Sequence, residues 1–236
     1  MSGATKTVGV LGGMGPAATL DFFARALKAA HAKRDQDHIR LIIDCNPSVP
    51  DRNAAVAGTG PSPAPVLQEM ARGLQRAGAE ILVMPCNAAH AFLADIEAAT
   101  KLPVVSIIEV TVEQTRRAVP HAKRVGVLAS SGCIDAELYQ KAFAAHDVQS
   151  LVPEGKAREK FMATLYRIKS GDLSAEVRGD MRAIANELIA SGAEAVVAGC
   201  TEVPLVLNAA DIAAPLINST DCLVEATIAA ARGDIE

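Results

Sequence analysis

Tryptophan is missing from this chain, and the aromatic complement is only two tyrosines and five phenylalanines. With half of the residues hydrophobic all the same, the core has to be assembled from Ala, Val, Leu and Ile, the material of parallel strands covered by helices. There is no excess of basic residues: 23 Lys and Arg face 27 Asp and Glu, with the signs dispersed and a net charge of −4. That excludes the basic stripe of a nucleic-acid partner. No apolar run approaches the length of a membrane span. The opening residues Met-Ser-Gly-Ala-Thr-Lys carry no secretory h-region. The five cysteines (Cys45, Cys86, Cys133, Cys200, Cys222) are odd in number, widely spaced and free of any C-x-x-C pair, which argues against a disulfide framework or a zinc ribbon. These absences predict a thiol-reduced, cytoplasmic protein with neither a nucleic-acid nor a membrane partner.

What is present is a repeat. Gly78-Ala79-Glu80, then Val83 and Cys86, is echoed by Gly192-Ala193-Glu194, then Val197 and Cys200, an offset of 200 − 86 = 114. Lys6-Thr-Val-Gly-Val-Leu11 is matched by Lys123-Arg-Val-Gly-Val-Leu128 at 125 − 8 = 117, and Pro103 by Pro215 at 112. Ordered matches at nearly one offset indicate an internal duplication. The expectation is two lobes, residues 1–110 and 111–219, with a closing helix at 220–236 packed back onto the first.

Apolar runs at 7–11, 39–45, 79–84 and 103–108 read as four strands of the first lobe. Runs at 124–129, 149–152, 194–198 and 214–218 read as four of the second. Helices are expected at 17–31, 65–77, 89–100, 110–121, 134–146, 156–169, 173–191 and 221–232, with 54–65 a loop and Arg52 within a loop. The fold class is therefore α/β, two pseudo-symmetric lobes, each a mostly parallel sheet flanked by helices. Function belongs in the cleft between them, at the carboxyl ends of the strands. Met14, Arg52, Cys86, Cys133 and Cys200 all follow strands. Gly13, Gly15 and Ala18 fit a relaxed dinucleotide fingerprint, but the acidic residue expected about 20 residues on is lacking. A small anion or carboxylate suits that turn better.

A single cysteine is usually a small buried hydrophobe. Two at matched strand ends suggest more. A thiol titrates near ~8.5 unperturbed and lower at a helix N-terminus, so a thiolate and a thiol on opposite faces of a substrate form an acid/base pair. One removes a proton from carbon and the other returns one to the opposite face, without a cofactor or a metal. His90, four residues after Cys86, also permits a Cys–His nucleophile or a metal site with Glu202 and Asp44. Neither explains why the second lobe repeats the cysteine with Pro204 in place of histidine.

Gly12-Gly-Met-Gly-Pro16, Asn46-Pro with Asp51-Arg52, Pro85-Cys-Asn-Ala-Ala-His90, Tyr166-Arg-Ile-Lys-Ser-Gly171 and Gly199-Cys-Thr-Glu202 together resemble the aspartate/glutamate racemase family, on its aspartate racemase branch. The resemblance spans nearly the whole chain. It implies cofactor-independent racemisation of aspartate, glutamate or a broader set of amino acids, by a homodimer. It makes Cys86 and Cys200 the catalytic pair. Asn87 and Thr201 then hold the α-groups, Arg52 and Lys169 the carboxylates, and His90 and Glu202 support the cysteines. Met14, Ala88, Ser131 and Cys133 complete the expected substrate contacts. Ala88 stands where the family usually has threonine, Cys133 where a Gly-Thr pair is common, and Asn218 where an aspartate is often found. These departures leave open a maleate-isomerase-like activity on an unsaturated diacid, or a carboxylate-binding relative without turnover.

Overall fold

The computed structural model describes residues 5–234; residues 1–4, 235 and 236, which the expected lobe and closing-helix boundaries include, lie outside them. Among the described residues, eight strands make two four-stranded sheets, both wholly parallel. Strands β1 (Val8–Gly12), β2 (Leu41–Cys45), β3 (Ile81–Val83) and β4 (Val104–Val105) are ordered β2-β1-β3-β4. Strands β5 (Arg124–Val127), β6 (Gln149–Leu151), β7 (Ala195–Ala198) and β8 (Leu216–Asn218) are ordered β6-β5-β7-β8, the same arrangement.

The helices are α1 (Pro16–Ala29), α2 (Arg52–Val56), α3 (Ala64–Arg76), α4 (Leu93–Ala99) and α5 (Ile107–Ala118) in the first half. In the second they are α6 (Ser131–Asp135), α7 (Leu138–Ala144), α8 (Gly155–Lys169), α9 (Ala175–Ala190) and α10 (Ser219–Arg232).

The Gly-Ala-Glu repeat has a structural origin at the amino ends of the strands. Gly78 and Gly192 have φ of +93° and +98°, the left-handed conformation that closes α3 and α9 and that glycine adopts without steric cost. The glutamate that follows ties down the neighbouring strand. Glu80 Oε2 accepts from the backbone N–H of Thr7 at 2.7 Å, and Glu194 Oε2 accepts from those of Lys123 and Arg124, the latter at 2.9 Å.

Alternation along each strand divides the core. Val8, Val10, Ile81 and Val83 from one sheet, and Val125, Val127 and Val197 from the other, share a single apolar cluster with Leu223 and Ile228 of α10 and Ile108 and Val112 of α5. One face of each sheet is thus buried against one shared helical layer. The opposite faces are covered separately, Leu11 and Leu82 by α3 and Val196 and Ala198 by α8 and α9. Helix α10 is tied to the first half: Lys6 N–H donates to the Ala231 carbonyl at 2.8 Å, Arg25 reaches Asp221 at 2.7 Å, and Arg232 donates to the Ala30 carbonyl.

Four local expectations are corrected. The start of the supposed 54–65 loop is helical, and Arg52 opens α2, because Asp51 Oδ1 accepts from Ala54 N–H at 2.8 Å and caps it. Strand β4 stops at Val105, since Ser106 Oγ accepts from Glu109 N–H and starts α5 there. The 134–146 helix is two, α6 and α7, broken at Glu137 with φ +56°, where the Gln140 side chain supplies a donor to the Ile134 carbonyl. The 89–100 helix begins as a 3-10 turn, Ala88–Phe92. An α-turn would send the Cys86 carbonyl to the His90 N–H; instead the His90 ring takes that carbonyl, and His90 N–H pairs with Asn87.

Candidate active site

The carboxyl ends of β3 and β7 deliver the two cysteines to one cavity. Its lining includes Met14, Arg52, Cys86, Asn87, Ala88, Lys169, Cys200, Thr201 and Glu202, together with Asn53 and Ser130. Sequence reasoning missed the last two. Asn53 is set by the cap of α2, and Ser130 sits one residue before the expected Ser131; the Pro-Asp-Arg-Asn run was the available signal for the first.

Two expected substrate contacts, Ser131 and Cys133, lie elsewhere. Ser131 Oγ accepts from Arg158 Nε at 3.0 Å, turned to α8. Cys133 is buried in the shared core, where burial pushes its thiol well above the ordinary range. His90 stands behind Cys86. Its Nε2 accepts from the Ile107 N–H at 3.2 Å, so Nδ1 carries the proton and donates to the Cys86 carbonyl at 2.9 Å. Burial lowers the imidazole to about 4, which keeps it neutral. Both ring nitrogens serve backbone groups, and this histidine positions the Cys86 turn without touching the sulfur.

Asn87 ties the halves together. Tyr139 OH donates to its Oδ1 at 2.7 Å, and its Nδ2 donates to Ser219 Oγ at 3.3 Å, which in turn donates to the Ala198 carbonyl at 2.7 Å. Tyr139 lies against Gly199, where a Cβ would come within 2.9 Å of the ring. The glycine before Cys200 is therefore required by packing. Asn218 caps α10, its Oδ1 accepting from Thr220 N–H at 2.9 Å.

The cationic groups come from helix ends. Arg52 Nη1 donates to the Val49 and Pro50 carbonyls at 3.1 and 3.0 Å, while its buried Nε has no partner. An unpaired buried donor is costly, and Arg52 is among the residues lining the cavity. Lys169, the last residue of α8, pairs with Glu202 Oε1. Burial opposes the lysine's charge, but Cys200, Glu202 and, more weakly, Cys86 hold it above its usual range.

Around Cys200 the environment is anionic. Its Sγ donates to Glu202 Oε2 at 3.0 Å, an oxygen that also accepts from Thr201 Oγ1 at 3.3 Å. Burial first, then the Glu202 charge, hold this thiol well above the usual cysteine range. The glycine turn between β1 and α1 has its own partners: Gly13 N–H donates to Thr19 Oγ1 at 2.8 Å, and a Cβ at Gly13 would strike the Asn46 backbone at 2.4 Å. That glycine is needed for close approach to the end of β2. At Gly15, the cap of α1, a Cβ would lie 3.8 Å from Glu202 Oε1, so the anion beside this helix start is a side chain of the protein itself. Among the described residues no group of three or more His, Cys, Asp or Glu could hold a metal ion.

The Asp/Glu/Hydantoin racemase family model matches residues 11–227. The chain is 24% identical over 226 residues to the broad specificity amino-acid racemase RacX of Bacillus subtilis, covering 94% of this chain and 96% of that one. It is 30% identical over 162 residues to the glutamate racemase of Corynebacterium diphtheriae, covering 65% of this chain and 58% of that one. Its fold superposes on Picrophilus torridus aspartate racemase with a TM-score of 0.86 at 25% identity, over 96% of this chain and 94% of that one.

Proposed function

The chain belongs to the Asp/Glu/Hydantoin racemase family, and from that premise we propose that it racemises an amino acid by two-base proton transfer at Cα between Cys86 and Cys200. The observation that carries this reading is the arrival of two cysteines, from topologically equivalent strand ends, on one cavity. One sulfur takes the Cα proton and the other returns a proton to the opposite face. Charge on the substrate carboxylate is met by cationic side chains, so no cofactor is required for the proton traffic.

Aspartate and glutamate lead the candidate substrates because Arg52 and Lys169 both line the cavity and the Nε edge of Arg52 is unpartnered. A carboxylate accepting two N–H bonds from that edge gains both charge and geometry. Asn87, Thr201 and Ser130 are assigned to the α-amino and α-carboxylate groups and Met14 and Ala88 to the side chain, a reading supported by their lining the cavity. The lobes are taken as residues 1–110 and 111–219, with the closing helix returning to the first. A homodimer accords with the exposure of Leu20 and Leu27 on α1, at 68% and 42%, and light scattering tests it. Among the described residues no helix is long and apolar enough to cross a membrane, and five free cysteines suit a reducing, cytoplasmic compartment.

The test is incubation of single enantiomers in heavy water. Loss of optical rotation together with deuterium at Cα is expected for aspartate or glutamate. If no amino acid in a broad panel exchanges its α-proton, the racemase reading fails, and isomerisation of an unsaturated diacid is the next assay.

A further inference from the structure

The two cysteines occupy equivalent places in the fold, yet their second neighbours differ: Ala88 follows Cys86, and Glu202 follows Cys200. Among the described residues, only Cys200 of this pair has a carboxylate on its sulfur, the Sγ to Oε2 contact of 3.0 Å, and the Cys86 sulfur makes no hydrogen bond. The charged and titratable groups lining the cavity are Arg52, Cys86, Lys169, Cys200 and Glu202. Tyr139, beside Gly199, is committed to Asn87, and His90 behind Cys86 to backbone. The Lys169 ammonium favours a thiolate more strongly at Cys200 than at Cys86, but at Cys200 the charge of Glu202 outweighs it. Glu202 is the group that selects.

We propose that Glu202 is a positioning residue that keeps the resting proton on Cys200 and leaves Cys86 as the resting base, with Lys169 and Thr201 latching its carboxylate in place. The proposal rests on the racemase reading above and adds a direction to it. A carboxylate accepting from the thiol stabilises S–H, and the same charge repels a thiolate formed there. The elevated titration of Cys200 has these causes after burial itself.

The proton accounting is then fixed. Cys86 thiolate forms an S–H bond with the Cα proton as the Cα–H bond breaks, leaving its electron pair on the substrate carbon. Cys200 S–H breaks, its proton goes to the opposite face of that carbon, and its electrons stay on sulfur. The product state holds a Cys200 thiolate against the Glu202 carboxylate and is the higher in energy. It resets when Cys200 takes a proton from water and Cys86 releases one, or when the mirror-image substrate reverses the transfer. The resting enzyme is thus poised for the enantiomer whose Cα–H faces Cys86.

Alkylation by iodoacetamide across pH, resolved by peptide mass spectrometry, reads the two thiols separately and needs no turnover. In the unaltered protein Cys86 should become labelled at lower pH than Cys200. Glu202→Gln, which keeps an acceptor oxygen but removes the charge, should lower the Cys200 midpoint by about one pH unit or more and move that of Cys86 less. Glu202→Asp should keep Cys200 late. Cys200 labelling at or below the pH of Cys86 in the unaltered protein overturns the proposal, as does a Glu202→Gln variant that moves both midpoints equally or neither. Deuterium exchange judges the racemase reading independently. Exchange with a reversed labelling order sinks only this assignment, and the expected order without exchange sinks only the activity.

Discussion

The halves of this molecule agree at one end of their strands and differ at the other. At the amino ends, Gly78 and Gly192 adopt the same left-handed conformation, and Glu80 and Glu194 bind the starts of β1 and β5 in the same way. At the carboxyl ends both halves present a cysteine, but one is followed by Asn-Ala-Ala-His and the other by Thr-Glu-Val-Pro. In the first, His90 secures the turn through backbone; in the second, Glu202 engages the sulfur itself. The duplicated scaffold brings a cysteine from each half to one cavity. On the proposed mechanism, the departures from symmetry fall where the two sulfurs would need opposite protonation states, which symmetric surroundings could not provide.

The comparison is broken most severely at the sulfurs. Cys86→Ser and Cys200→Ser should each reduce racemisation by about 10³-fold, the scale of a lost general acid or base, measured by polarimetry. Each variant keeps one thiol, so the two should retain Cα–deuterium exchange for opposite enantiomers. A Cys200→Ser variant racemising near the parental rate would leave the duplication as ancestry alone.

Next in size is a change in the layer the halves share. Leu223 of α10 is fully buried in the cluster that joins both sheets. Leu223→Ala should cost about 2–5 kcal/mol and speed amide exchange in β1 and β5 together. Phe161→Ala, in the cluster private to the second half, should cost a similar amount and act first on β5 to β8. Equal protection loss in both sheets from Phe161→Ala would show that the halves are not separable even locally.

His90 gives a pH-dependent difference. Its folded value is depressed to about 4, so the unfolded chain binds the extra proton between about 6.5 and 4, and stability falls as pH falls through that window. The contribution, about 3 kcal/mol at most, is fully present above about 6.5. A His90→Asn variant, followed by denaturant titration from pH 7 to 4, should be less stable at pH 7 and lose much of that slope. Persistence of the slope would place its source in other groups.

The smallest effect separates substrates. Arg52→Ala should raise KM for a dicarboxylic amino acid by about 10–100-fold, the scale of a charged hydrogen bond of about 1.5–3 kcal/mol, with little change for a neutral amino acid. Equal losses for both would mean that Arg52 holds a carboxylate common to all amino acids.

Periodicity was enough to locate the eight strands of the described residues, because buried parallel strands are short apolar runs and the pattern occurs twice. It failed where a single polar side chain redirects the backbone. Asp51 capping α2, Ser106 ending β4 and the His90 ring claiming the Cys86 carbonyl are contacts of one side chain with one peptide group, and no hydrophobic period registers them.

By itself the sequence determined the parallel two-sheet class and the repeated cysteine, since both follow from local composition and order along the chain. Whether Arg52 faces the cavity with a donor unpaired, whether Cys133 joins the core instead, and which thiol has a carboxylate on its sulfur were decided only by tertiary structure. Protonation and exposure depend on groups brought together from distant positions, Lys169 beside Glu202 and Asn87 beside Tyr139 and Ser219, and the energies of such contacts exist only once the chain is folded.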